Sequence, residues 1–321
     1  MQDAFFRSTQ LALENITRIC DLIHPLTLAL WHTCRDVSSN ISSNPEVKNE
    51  ELARQFGYGS DIHGVNYKRV FNDMSWDDHK SNIAWLFLNS LFPIYEGWLE
   101  ELSCQSFPPS NGNLDSNAMQ FPSSRTKGNV FTEINRLTTT ESKLAKDAFY
   151  SEYSTSKHRC LICLDNLMVC YRYFKEMRNC YMHNGNIANQ PLINAYNAFS
   201  RITNPSDLCM SEIPVHIPPV LGEPVQLDLR GVIGFSQIIL QIMVTIDAEL
   251  LRSKYAEAEI IRRLSEKIKT PLFINKKKAR ALKQIQSLFT SADFVSPDLN
   301  NHEQIVNFLV SNHFIYPITI I

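Results

Sequence analysis

Long uncharged apolar runs are missing from this chain, and their absence removes membrane-spanning readings first. A helix needs about 18 such residues to be read as crossing a bilayer. The longest candidate, "GVIGFSQIILQIMVTI" at 231–246, carries two glutamines. The N-terminal "MQDAFFRSTQ" has no basic segment followed by an apolar one, so it does not read as a secretory leader. No GxxxxGK[ST] loop is present to cradle nucleotide phosphates, which excludes a P-loop NTPase. No GxSxG or HExxH occurs either. There is no internal repeat, and no stretch alternates apolar and polar residues for long enough to imply a sheet core. Charge is nearly balanced, at a formal net −2, which says little about partners. The expectation is a soluble, cytoplasmic protein with no membrane partner, no metal and no cofactor.

What is present is ordinary material for a packed core. The hydrophobic fraction is 44% and the charged fraction 20%, too apolar for a disordered chain. The length of 321 residues suits one large domain or two smaller ones. Several of the eight cysteines, including Cys20, Cys34, Cys163 and Cys170, lie in apolar periodic segments. They read as buried free thiols in a reducing compartment. Cys160 and Cys163 form a CxxC with no second pair downstream, so packing is expected there rather than zinc or redox chemistry.

Helical periodicity dominates. Residues 3–36 read as a helix kinked or split near Pro25, and a loop at 38–46 leads into a short helix from Pro45 to Gln55. Residues 57–74 read as irregular. Ser75 is placed to cap a central helix over 79–102, with Asp77 and Asp78 in its first turn and a kink expected at Pro93. The Ser-, Asn-, Pro- and Gly-rich 103–130 reads as a loop insertion, and 131–153 as a polar helical segment. The strongest helix spans 158–184. An irregular excursion follows over 185–228, then a long helix over 229–268 that Pro271 ends. The last fifty residues read as a helix at 276–289, another at 299–311 and a strand pattern in "FIYPITII". The expectation is an all-α fold, divided into a helical domain over 1–270 and a small basic unit over 271–321.

One stretch does not behave like plain core helix. After the apolar "CLICLDNLMVC" at 160–170 comes "YRYFKEMRNCYMHNGN" at 171–186. Arg172, Glu176, Asn179 and His183 recur at spacings of four, three and four, so they form one polar stripe. Lys175 and Arg178 flank it. Asn184-Gly185 supplies a left-handed helix stop. The ordinary explanation is that basic residues favour the negative end of a helix and that His183 merely caps it. Arg178 and His183 are five residues apart and point about 140° away from each other. They can flank a groove, or converge with a copy from a second subunit.

"RNCYMHNG" resembles the Rx4-6H motif of the HEPN superfamily. Arg178 matches the motif arginine, Asn179 the polar residue that follows it and His183 the histidine. The resemblance implies a helical bundle that dimerises with two motif helices face to face. It also implies a metal-independent endoribonuclease of the toxin, abortive-infection or anti-phage defence type. RNA, with tRNA a candidate class, is the implied substrate, and an antitoxin or trigger protein an implied partner.

The chemistry asks for these residue types. A ribose 2′-OH can attack its own phosphorus in line, so the enzyme must move two protons and stabilise charge on phosphate. Histidine moves protons near neutrality, and arginine clamps phosphate oxygens. His183 is therefore assigned acid/base chemistry and Arg178 the phosphate. Asn179 would orient His183 or the substrate, Lys175 add positive potential and Glu176 orient a basic residue. Glu96, on the central helix, is a candidate partner for Arg178. Between Arg252 and Lys283 lie eleven Lys or Arg and three Glu, a local balance of +8. Its densest part contains Lys276, Lys277, Lys278 and Arg280, which suits a phosphate backbone. Two rival readings stay open: a non-catalytic module of the same type that binds nucleic acid or a nucleotide, and an all-α interaction protein.

Overall fold

The computed structural model describes residues 4–61, 63–107 and 113–318. Among them the chain forms twelve α-helices and no strand. They are α1 (Arg7–Ser43), α2 (Asn49–Phe56), α3 (Trp76–Ser106), α4 (Val130–Leu137), α5 (Lys143–Ala145), α6 (Ser151–Ser154), α7 (Leu164–His183), α8 (Gln190–Phe199), α9 (Leu229–Leu250), α10 (Ala256–Lys267), α11 (Lys278–Ser291) and α12 (His302–Ser311). The all-α class is as the periodicity predicts.

Three helices, α3, α7 and α9, pack on one another at the centre. Their contacts are aromatic. Phe174 of α7 stacks on Phe235 of α9 at 4.4 Å, and Phe92 and Tyr95 of α3 meet Tyr171 of α7. Each fully buried side chain of this size contributes roughly 1.5–3 kcal/mol. Tyr95 loses all contact with water, and its hydroxyl donates to the Met119 carbonyl at 2.8 Å. By length and mean hydropathy α9 is the one described helix able to cross a membrane, and 67% of its most apolar window is buried within the protein.

The start of α1 is capped from a distance. Phe6 at its N-cap offers no side-chain acceptor. The Asp247 carboxylate on α9 instead accepts from the backbone N–H groups of Phe5 and Phe6, at 2.6 and 3.1 Å. Glu259 on α10 accepts from Arg7 N–H at 3.0 Å. Two buried acids thus satisfy donors that a helix start otherwise leaves orphaned. Arg263 completes the joint by donating to the carbonyls of Phe5 and Ala292.

Several expected boundaries are corrected. α1 runs through Pro25 without a split, while α3 continues through Pro93 as expected. At Pro25 the carbonyl left without a donor belongs to the exposed Asp21, where water can serve it. Ser75 caps α3 in a reciprocal box with Asp78, as expected, but the helix extends to Ser106. The loop expected over 103–130 is packed where it is described: Leu114, Ala118 and Met119 are buried and 118–120 form a 3₁₀ turn. Residues 108–112 of it lie outside the described residues, as does residue 3 of the first expected helix. The strongest helix starts at Leu164 rather than 158. The excursion expected to be irregular contains α8, capped by Asn189 with Pro191 in its first turn. The helix expected over 229–268 breaks at 251–255. There Ser142 N–H donates to Arg252 and Lys254 N–H donates to Thr140, so the backbone pairs with another segment instead of itself.

Beyond residue 270, Leu272 and Ile315 form one parallel bridge. The last three residues of the expected strand, 319–321, lie outside the described residues. Phe289 and Phe294 join the same continuous core as Phe5 and Phe149.

Candidate active site

The motif ends α7, and α3 sets how that end is presented. The two helices run antiparallel in a register fixed at two points. Trp85 of α3 stacks on Tyr181 of α7 at 4.3 Å. Six residues back along α7, Lys175 donates to Glu96 at 2.8 Å. Arg178 lies between these two contacts along α7, and Asn89 lies between them along α3.

The polar stripe is largely satisfied within itself. Arg172 pairs with Glu176, one turn on. Asn179 Nδ2 donates to the other Glu176 oxygen at 3.2 Å. Lys175 also donates to Gln120 Oε1. Glu96 therefore pairs with Lys175, not with Arg178 as expected, and Asn179 is held by Glu176 rather than by His183. The cause is reach: one helical turn separates Asn179 from Glu176 on a common face.

Arg178 is different. Its Nε is buried with no partner, and its guanidinium makes no hydrogen bond or ion pair among the described residues. Asn89 Oδ1 on α3 is likewise buried and unsatisfied. Buried donors and acceptors are normally paired, and leaving one unmet costs about 1–3 kcal/mol. A half-buried arginine without a counterion has capacity for an anionic group. No motif marks Asn89 in the sequence; it lies seven residues before Glu96, on the same face of α3.

His183 sits at the last helical position and is exposed. It makes no hydrogen bond among the described residues. The stop that follows it is anchored. Gly185 takes a left-handed φ of 58° and Asn186 one of 64°. Asn186 N–H donates to Cys180 at 3.0 Å, and Val225 N–H donates back to Asn186 at 2.8 Å. The backbone around His183 is thus tied to 220–225, while its imidazole faces solvent.

The segment between α3 and α4 borders the stripe. Arg172 and Arg125 both lie against the Phe121 ring, at 4.3 and 3.7 Å, and Arg125 Nη1 is buried without a partner. Gln120, Phe121 and Arg125 were read only as loop; nothing in their spacing links them to α7.

Lys276, Lys277, Lys278 and Arg280 are all exposed and open α11 without an acidic residue in its first turn. Positive charge at the positive end of a helix is unfavourable unless an anion is near. The basic stripe is nevertheless shorter than its sequence count. Arg263 is buried, and Arg252 and Arg262 pair with Glu141, Glu249, Glu259 and Glu266. α11 packs on α10, whereas α7 packs on α3, α8 and α9, so the structure does not join the basic cluster to the motif.

Cys20, Cys34, Cys163 and Cys170 are free as expected, the last two of them buried. Cys160, expected to pack rather than to do redox chemistry, instead forms a disulfide with Cys209. Cys163 Sγ lies 3.0 Å from Cys209 Sγ. The CxxC is therefore part of a three-sulfur cluster, whose third member is 46 residues beyond Cys163 and carried no motif to reveal it.

Comparisons of the chain with protein-family models, curated proteins and solved structures found no match.

Proposed function

We propose that the chain is a metal-independent endoribonuclease that cleaves RNA through attack of the 2′-OH, leaving 2′,3′-cyclic phosphate and 5′-OH ends. The observation that carries this reading is the unpaired Arg178 in a helix where Arg172 and Lys175 are both neutralised by carboxylates. A guanidinium held in place but left without a counterion suits a phosphate, whose oxygens accept its forked N–H groups. It offers more charge to a pentacovalent phosphate than to the starting diester, which is what lowers a barrier.

His183 moves the protons. It takes one from the 2′-OH, or returns one to the leaving 5′-oxygen, and its exposure leaves it open to an RNA backbone. Asn179 and Glu176 hold Arg172 and the helix surface beside it. Lys175 adds positive potential that Glu96 moderates. The nucleophile belongs to the substrate, so the step needs no activated water.

A second copy of the chain completes the site. Arg178 is half-buried on one side of α7 and His183 exposed on another, about 140° away. Tyr181 and Met182 next to His183 are 40% and 49% exposed, and Leu86 beside the Trp85 stack is 57% exposed. An apolar surface next to the motif suits a facing α7 from a partner, bringing one chain's histidine to the other's arginine. A role in anti-phage defence or as a toxin, restrained by an antitoxin or trigger protein, belongs to this same reading.

The test is incubation of the purified chain with total tRNA and with single-stranded RNA in EDTA, followed by end-group analysis. Cyclic phosphate ends are expected. Binding without cleavage would favour the non-catalytic module, and neither binding nor cleavage the interaction protein.

A further inference from the structure

We propose that, in its reduced form, the chain binds a soft divalent cation of the zinc type through Cys160, Cys163 and Cys209. The inference is independent of the nuclease reading. The three Sγ atoms all lie within 4.8 Å of one another. They come from two segments: the CxxC just before α7, and the turn after the 3₁₀ helix Pro205–Leu208. Thiolates about 2.3 Å from one tetrahedral zinc sit roughly 3.8 Å apart, so only small side-chain rotations separate the cluster from a ligand set.

A disulfide alone leaves features unexplained. It uses two sulfurs and leaves a third, buried thiol within 3.0 Å of one of them. Cys209 is held at a φ of 51°, a left-handed conformation that costs a non-glycine residue about 1 kcal/mol or more and persists only when its surroundings impose it. Those surroundings are specific. Gln241 of α9 donates to the Cys209 carbonyl at 3.0 Å, and Cys160 N–H donates to Thr245 of α9 at 2.9 Å. Both segments are thus tied to one face of α9, at positions one turn apart. No fourth His, Cys, Asp or Glu joins it among the described residues, so water or a small ligand takes the fourth position at the exposed Cys209 edge.

The step balances. A dithiol reductant opens the Cys160–Cys209 bond by exchange; its two thiols become a disulfide, and Cys160 and Cys209 are left as thiols. Three protons then leave as three thiolates bind the cation. The bound ion would pin the first residues of α7, the motif helix, to the 200–213 segment.

The experiment uses the full chain, reduced with a phosphine, freed of reductant under anaerobic conditions and titrated with Co²⁺ and then Zn²⁺. About one equivalent of cobalt per chain is expected, with an intense thiolate-to-metal charge-transfer band that zinc abolishes. The decisive variant is Cys163→Ser, because it keeps the pair that forms the disulfide. Its affinity should fall by more than the 10–100-fold that loss of an outer-shell partner costs, while circular dichroism confirms that it is folded. Cys34→Ser should bind as wild type. Absence of a charge-transfer band in the reduced wild type, or equal affinity in Cys163→Ser, overturns the proposal.

Discussion

Lys175 of α7 donates to Glu96 of α3 at 2.8 Å and Tyr181 of α7 stacks on Trp85 of α3, so α7 is held to α3 on both sides of Arg178. With Lys175 and Arg172 both neutralised, Arg178 is the cation of the stripe left to meet a ligand. Arg178→Lys keeps the charge but loses the fork, so kcat/KM should fall about 10²-fold. Thermal stability should barely change, because no partner is orphaned. A melting curve run beside the cleavage assay separates the two effects.

A composite site requires dimerisation through the end of α7. Met182→Asp places a charge on the apolar surface beside His183 without disturbing the core. Sedimentation should then give monomer, and cleavage should fall in parallel. Mixing an inactive Arg178→Ala chain with an inactive His183→Ala chain should restore part of the activity, since one of the two sites in each mixed dimer keeps both residues.

The exposed cluster at the start of α11 is expected to hold RNA without doing chemistry on it. Replacing Lys276, Lys277, Lys278 and Arg280 by Ala should weaken binding at low salt for all sequences alike. It should also flatten the dependence of log affinity on log salt by roughly one unit per lost phosphate contact. The cleavage rate at saturating RNA should be unchanged, because α11 packs on α10 and away from α7.

Stability should depend on pH through Asp247. Burial pushes its carboxyl from the ordinary 3.8 up to about 7, against hydrogen bonds from Thr9, Phe5 and Phe6 that act the other way. Between those values the folded chain holds a proton that the unfolded chain has released. This contribution is therefore full below about pH 4, is lost as pH rises toward 7 and is flat above, amounting to at most about 4 kcal/mol. Denaturant midpoints should fall between pH 5 and 7.5. Asp247→Asn should remove that part of the slope while lowering stability throughout, since an amide oxygen can serve only one side of the Phe5–Phe6 pair.

The sequence made the fold class and the motif helix legible because both are written locally. Ser75 and Asp78 cap α3 as their spacing implies, and Gly185 stops α7 in the left-handed conformation. What stayed hidden depends on distant partners. Pro25 reads as a kink or a split, yet α1 runs through it unsplit, because the carbonyl that loses its donor is exposed and water can serve it. The break at 251–255 has no Gly or Pro to announce it; it exists because residues 140–142 supply hydrogen bonds there. Cys209 joins the CxxC only through the fold, and no motif marks the buried, unsatisfied Asn89.

The most direct measurement of the central claim is the single-turnover rate of RNA cleavage in EDTA by wild type and by His183→Ala, with RNA affinity measured on the same samples. The account predicts cyclic phosphate products from wild type. It also predicts a rate lower by about 10²–10⁴-fold in the variant, with affinity nearly unchanged and the fold intact. Equal rates, or cleavage by neither chain despite tight RNA binding, would contradict it.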